Sequence, residues 1–175
     1  KAIDFTQKET FEEIKVGSVI VSTGFKTYDA LKMPQYGYGI HKNVYTSLEV
    51  ERLVNASGPT GGEVIMRDGK TPKSIGIIHC VGSRDEKVGR PYCSKICCMY
   101  TAKQAIMLKE HDPQVQTYVF YMDLRAGGRS YDEFTRRAQE AFGAQYLRGR
   151  VSRVYRNGER YVVQGYDGLL GRPVE

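Results

Sequence analysis

Four cysteines, Cys80, Cys93, Cys97 and Cys98, fall within 19 consecutive positions of a 175-residue chain that has no other. Cys80 closes an apolar run, Ser74 to His79, of strand length, and Cys97 and Cys98 open a stretch with helical patterning, Cys93 standing just before it. A ligand at the carboxyl end of a parallel strand sits where α/β sheets bind their cofactors. The amino end of a helix adds unpaired N–H groups and a positive dipole end, which favour thiolates and anionic groups. Such soft ligands suit zinc or an iron-sulfur cluster. Zinc sites usually pair cysteines as C-x(2 to 4)-C knuckles. Here one ligand leaves a strand and three crowd a helix start. Adjacent helical side chains diverge by about 100°, which a cluster with separated metal corners accommodates better than a single tetrahedral ion. Spacing alone leaves four readings open: a cluster, a structural zinc site, thiol-disulfide chemistry and inert core thiols. The third is weakened by the absence of any C-x-x-C pair.

The surrounding sequence alternates strand and helix signals. After the strand Ser74 to His79 come a helix from about Ser94 to Glu110, a break at Pro113, and a strand over Gln116 to Tyr121. A helix from about Tyr131 to Phe142, closed by Gly143, and a strand beginning at Tyr146 to Leu147 complete the pattern, which predicts a parallel sheet covered by helices. Upstream, Ala2 to Phe5, Thr10 to Ile14 and Ser18 to Ser22 read as short antiparallel strands, the last ending in a turn at Thr23-Gly24. Phe25 to Asn43 reads as an irregular loop, and Ser47 as the cap of a short helix reaching about Ala56. Val151 to Gln164 carries a hairpin signal, with Asn157-Gly158 at its turn.

Composition narrows the function classes. With 41% hydrophobic and 26% charged residues the chain is globular in character, and its longest apolar runs are strand-sized, far below the roughly 18 residues of a membrane span. No secretion signal is visible, so a soluble, cytoplasmic protein is expected. The net charge of +6 is dispersed along the chain without a nucleic-acid motif; it suits an acidic redox partner or phosphate-bearing cofactors instead. The chain starts at Lys1 and stops after a turn-rich stretch, and it reads as an excised fragment.

Three stretches together resemble the flavin- and iron-sulfur-bearing A subunit of heterodisulfide reductase: Val16 to Gly24 (VGSVIVSTG), Ala56 to Gly62 (ASGPTGG), and His79 to Asp85 (HCVGSRD) continuing through Pro91-Tyr92-Cys93-Ser94 to Cys97-Cys98-Met99-Tyr100. The resemblance extends through Phe120 to Arg125 and Arg148-Gly149-Arg150, essentially the whole chain. It implies a fold similar to thioredoxin reductase: an FAD domain with a second, Rossmann-like domain inserted into it. Residues 1–45 would end the first FAD-domain segment, 46–150 form the Rossmann-like cluster-bearing domain, and 151–175 a β hairpin returning toward the FAD domain. By the same resemblance Cys80, Cys93, Cys97 and Cys98 hold a 4Fe-4S cluster near the flavin, as electron-transfer ligands and not nucleophiles, and no residue is assigned a catalytic role.

Lys103 lies where a lysine of that family approaches the flavin, and Thr23-Gly24 resembles a turn bordering the FAD, with Ser22 in place of the usual Ala. No G-x-G-x-x-G follows a strand, and Gly37-Tyr38-Gly39 has a Lys at the third glycine place, so most of the FAD site belongs to other parts of the protein. Cys80-Val81-Gly82-Ser83 stands where a nicotinamide enzyme carries its glycine fingerprint, so the cluster would replace NAD(P)H binding. Expected partners are other heterodisulfide reductase-type subunits and a hydrogenase, formate dehydrogenase or similar donor, with a homodimer as the intact form. Of the three histidines only His79 neighbours a cysteine, and it reads as a packing residue. Arg84 with Asp85 reads as a pair in the cysteine loop or a surface turn; Asp123 and Arg125, at a strand end, fit a cofactor edge or a loop. The rival from another class is a structural zinc module mediating contacts between subunits.

Overall fold

The computed structural model describes residues 2–175. Nine regular elements follow one another: α1 (Ser47–Leu53), β1 (Ser74–Ile78), α2 (Cys97–His111), β2 (Gln116–Tyr121), α3 (Tyr131–Glu140), β3 (Gln145–Arg148), β4 (Val151–Asn157), β5 (Arg160–Asp167) and β6 (Arg172–Val174). The first three strands form a parallel sheet in the order β1-β2-β3, with Ser74 opposite Gln116 and Tyr118 opposite Gln145. The sheet grows in one direction, so right-handed crossovers place α2 and α3 on the same face, where they pack through Ala102, Ile106 and Ala138. The α/β class expected from the alternating signals is the one observed.

The pleat of β1 sorts its side chains between two cores. Ile75 and Ile77 pack with Leu108, Val115 and Val54 on the helix side, whereas Ile78 turns to the opposite face with Phe120. That second face is covered by the antiparallel sheet β4-β5-β6, through Val151, Val154, Val163 and Val174. The hairpin turns at Asn157 and Gly158, and Gly158 adopts the left-handed backbone that an Asn-Gly turn supplies cheaply. The extra strand β6 contains Pro173, which an edge strand tolerates because its other side needs no ladder donor.

Two sequence expectations are corrected. Residues Ala2 to Thr27 are exposed and contain no strand, so the antiparallel pairing expected at Ala2 to Phe5, Thr10 to Ile14 and Ser18 to Ser22 is absent. A strand persists only with a ladder partner and a surface to pack on, and these residues have neither here; the antiparallel strands of the fold are instead those of the carboxyl end. Further on, Thr46 rather than Ser47 caps α1. Its hydroxyl accepts from the Glu49 N–H at 3.4 Å while the Glu49 carboxylate accepts from the Thr46 N–H at 2.7 Å, a reciprocal capping box. The loop Phe25 to Asn43 is ordered by two short 3-10 turns, Ala30–Lys32 and Pro34–Tyr36.

Gly149 is where the two sheets are stitched together. Its N–H donates to the Tyr121 carbonyl at 2.7 Å, and a Cβ added there would lie 1.6 Å from the Tyr166 carbonyl oxygen. Gly17, by contrast, has open space around it and an ordinary φ. Gly149→Ala should therefore destabilise the fold by about 1–3 kcal/mol or more, while Gly17→Ala stays within about 0.5 kcal/mol, both read by urea unfolding.

Candidate metal centre

The site is made by the segment between β1 and α2. The ladder continues one residue past β1, with the His79 N–H donating to the Phe120 carbonyl at 3.0 Å, and then breaks sharply at Cys80, whose φ is +59°. The Ser83 N–H donates to the Cys80 carbonyl at 3.1 Å and closes the turn, with Gly82 packed so tightly against the Tyr28 ring that no Cβ would fit. The chain then folds back on itself. Asp85 and Arg90 exchange two backbone hydrogen bonds, the Arg84 N–H donates to the Tyr92 carbonyl at 3.0 Å, and the Ser83 hydroxyl donates to the same oxygen while accepting from the Ser94 N–H. These bonds return Cys93 to the loop that left Cys80 and deliver the chain to α2, which begins at Cys97. Three of the four non-glycine residues with left-handed backbone among the described residues, Cys80, Arg84 and Lys95, lie in this one loop. Strain concentrated in that way is a mark of functional sites.

All four cysteines are free thiols. Cys97 and Cys98 are buried, and Cys80 and Cys93 are half-buried. Cys80, Cys97 and Cys98 influence one another's protonation. The ligand atoms of His79, Cys97 and Cys98 all lie within 4.8 Å of one another. Two backbone N–H groups aim at sulfur: Lys95 donates to Cys93 Sγ at 3.3 Å and Arg125 to Cys98 Sγ at 3.3 Å. The Cys98 thiol also donates to the Asp123 carbonyl at 3.7 Å. A hydrogen bond from Cys97 and the nearby Arg84 cation draw the Cys80 thiol below its ordinary pKa, against the effect of burial. Cys97 is pushed up because its proton is committed to Cys80, and Cys98 is pushed up to about 12 by its bond to Cys97 and by burial. A metal among the sulfurs would override that order, since a coordinated thiol is deprotonated outright.

The donor set fits a bound anionic, thiolate-rich metal group. Cys97 and Cys98 stand with His79 in one group, Cys80 and Cys93 lie on the loop that leads to them, N–H groups are directed at sulfur, and two buried polar atoms of this loop have no hydrogen-bond partner: His79 Nε2 and Arg84 Nη1. His79 is 7% exposed and its Nδ1 stands 4.0 Å from Cys98 Sγ. The histidine assigned to packing by the sequence is thus within ligand range. Its adjacency to Cys80 was the only signal, and the left-handed turn that swings the two residues to one site is invisible in residue type. Arg84 pairs with Asp123 at 2.8 Å, not with Asp85, which faces Arg150 at 3.8 Å. Asp123 is shared with Arg148 at 3.3 Å, so Arg84, Asp123 and Arg148 form an ion-pair network at the strand ends.

The remaining candidates stand apart from this group. Lys103 is half-exposed on α2 and pairs with Glu51 of α1 at 2.5 Å. Thr23 and Gly24 are exposed, Gly24 with φ +74° and open space where a side chain would be. The structure therefore gathers Cys80, Cys97 and Cys98, sets Cys93 across the loop from them, and leaves Thr23, Gly24 and Lys103 on the surface.

A parallel α/β sheet that carries cysteine thiols at its carboxyl edge defines an α/β domain of the Rossmann-like class with a candidate metal site. No protein-family model matches the chain. Among curated proteins it is 47% identical over its whole length to the A subunit of the H(2)/formate:CoB-CoM heterodisulfide,ferredoxin reductase of Methanococcus maripaludis. Over 99% of the chain it is 46% identical to the A subunit of the H(2):CoB-CoM heterodisulfide,ferredoxin reductase of Methanothermobacter thermautotrophicus and to the iron-sulfur A subunit of the CoB-CoM heterodisulfide reductase of Methanocaldococcus jannaschii. The chain belongs to the family of heterodisulfide reductase A subunits. It spans 27% of the length of each of these three relatives.

Burial orders the reactivity of the four thiols in the metal-free chain. Limited alkylation followed by peptide mass analysis should modify Cys80 and Cys93 before Cys97 and Cys98.

Proposed function

We propose that this chain is the cluster-bearing section of an electron-transfer flavoprotein, and that Cys80, Cys93, Cys97 and Cys98 ligate one 4Fe-4S cluster that exchanges electrons with FAD. The observation that carries the reading is four free thiols on the one segment that runs from the end of β1 into α2, with backbone N–H groups donating to the sulfurs of Cys93 and Cys98. When bound, the cluster supplies a one-electron carrier. The protein's own part is to hold the thiolates, to place N–H donors and the α2 amino end around their negative charge, and to keep Cys97 and Cys98 away from water.

Residues 46–150 then form the cluster domain, with 1–45 and 151–175 belonging to the flavin side. Thr23, Gly24 and Lys103 are assigned to the FAD by family resemblance, and all three are exposed, hence open to a cofactor held mainly by other parts of the full-length protein. Phe5, Phe11 and Ile20 are 88–91% exposed, and a covering FAD domain would give this apolar segment the partner surface it lacks here. One relative's name joins H(2)/formate with the CoB-CoM heterodisulfide and ferredoxin. In this reading the acceptor chemistry takes place in partner subunits, which a hydrogenase or formate dehydrogenase supplies with electrons. No helix of the described residues is long and apolar enough to cross a membrane.

One observation favours a second reading. His79, Cys97 and Cys98 alone are compact enough for a single zinc ion, which would make the domain a structural module. Anaerobic reconstitution with iron and sulfide separates the two. The cluster reading expects about four irons per chain, a brown chromophore, and loss of both in Cys97→Ala with His79→Ala still binding iron. Tight zinc binding that is abolished by His79→Ala, with no iron uptake, would establish the structural module.

A further inference from the structure

We propose that Arg84 is a positioning residue that fixes a positive charge against the cluster and raises its reduction potential, with Asp123 as the anchor that holds it there. The inference rests on the cluster reading above and concerns a residue outside the ligand set.

The geometry is specific. Arg84 lies four residues after Cys80 in left-handed backbone at φ +56°, and its N–H donates to the carbonyl of Tyr92, the residue before Cys93. The residue is thereby held in the loop that joins the two cysteines, and its side chain is turned to the strand-end residue Asp123. One arm, Nη2, is held by Asp123 Oδ2 at 2.8 Å, and the other, Nη1, is buried with no acceptor. A guanidinium presents its donors in a rigid fork, so fixing one arm fixes where the other points. A buried charged donor without an acceptor is costly, and an anionic, sulfur-rich group in the loop would provide one.

The anchor is itself fixed. Arg148 binds the other oxygen of Asp123 at 3.3 Å and the neighbouring Met122 carbonyl at 3.2 Å. Lys103, further along α2, is compensated by Glu51. Reduction adds negative charge to the cluster, so a fixed cation favours the reduced form, one of the levers by which proteins set cluster potentials.

The test is a redox titration of the intact, cluster-loaded protein, followed by electron paramagnetic resonance, in wild type, Arg84→Gln, Arg84→Lys and Asp123→Ala. Arg84→Gln should lower the reduced fraction about tenfold at a fixed potential, about 59 mV for a one-electron couple, with Arg84→Lys between it and wild type. Asp123→Ala, which releases the anchor, should lower the potential by less than Arg84→Gln and add nothing when combined with it. A merely structural clamp would leave Arg84→Lys as low as Arg84→Gln. If Arg84→Gln fails to assemble a cluster, Asp123→Ala decides: an unmoved or raised potential overturns the proposal. Unmoved potentials in variants with full iron content overturn the role of Arg84 and leave the cluster reading intact. A wild-type protein with no iron at these cysteines overturns both.

Discussion

The site depends on the abrupt end of β1. A strand that continued past His79 would carry the following residues along the sheet edge, alternating between its faces. Instead Cys80 enters left-handed backbone, a conformation costly for any residue with a side chain, and the chain turns over the carboxyl edge. The cost is offset by the hydrogen bonds that close the loop: Ser83 back to Cys80, Arg84 and Ser83 to Tyr92, and the Asp85–Arg90 bridge. Each tightens the path between the last strand residue and the first helical one. The result is that the segment carrying the cysteines 13 to 18 positions beyond Cys80 is folded back toward the strand ends.

The two cores hold that edge in place. On one face, Leu108 and Ala102 of α2 tie the helix to β1, to α1 and to α3, so that the amino end of α2 has a definite position relative to the strand ends. On the other, Phe120 and Ile78 meet the hairpin, and the close approach at Gly149 fixes Arg148 and Arg150 beside the loop. The basic residues that composition showed only as a dispersed charge are thereby gathered: Arg84, Arg148 and Arg150 all face acidic partners at this edge. Thiols and cations share one surface because strand ends, a loop and a helix start meet there.

Much of this was legible in residue types. The period-two runs of β1 and β2, the helical stretch after Cys97 and the Asn157-Gly158 turn each obey local rules, and the observed elements match them within a few residues. Local patterning fails where stability depends on a distant surface: Ser18 to Ser22 has strand-like residues and no strand, since nothing here pairs with it. The cysteine cluster was visible because its members are near in sequence. His79 as a ligand-range neighbour and the Arg84–Asp123 pair were not, because one follows from a left-handed turn and the other joins residues 39 positions apart. In both cases the information lies in backbone direction, which residue type does not encode.

The central claim is that these four cysteines hold iron and sulfide together. The most direct measurement is crystallographic: anomalous scattering collected at the iron and zinc absorption edges from anaerobically grown crystals of the intact protein. The account predicts iron density, extended as a cluster, contacted by the sulfurs of Cys80, Cys93, Cys97 and Cys98. A single zinc peak among His79, Cys97 and Cys98, with Cys93 uncoordinated, would contradict it.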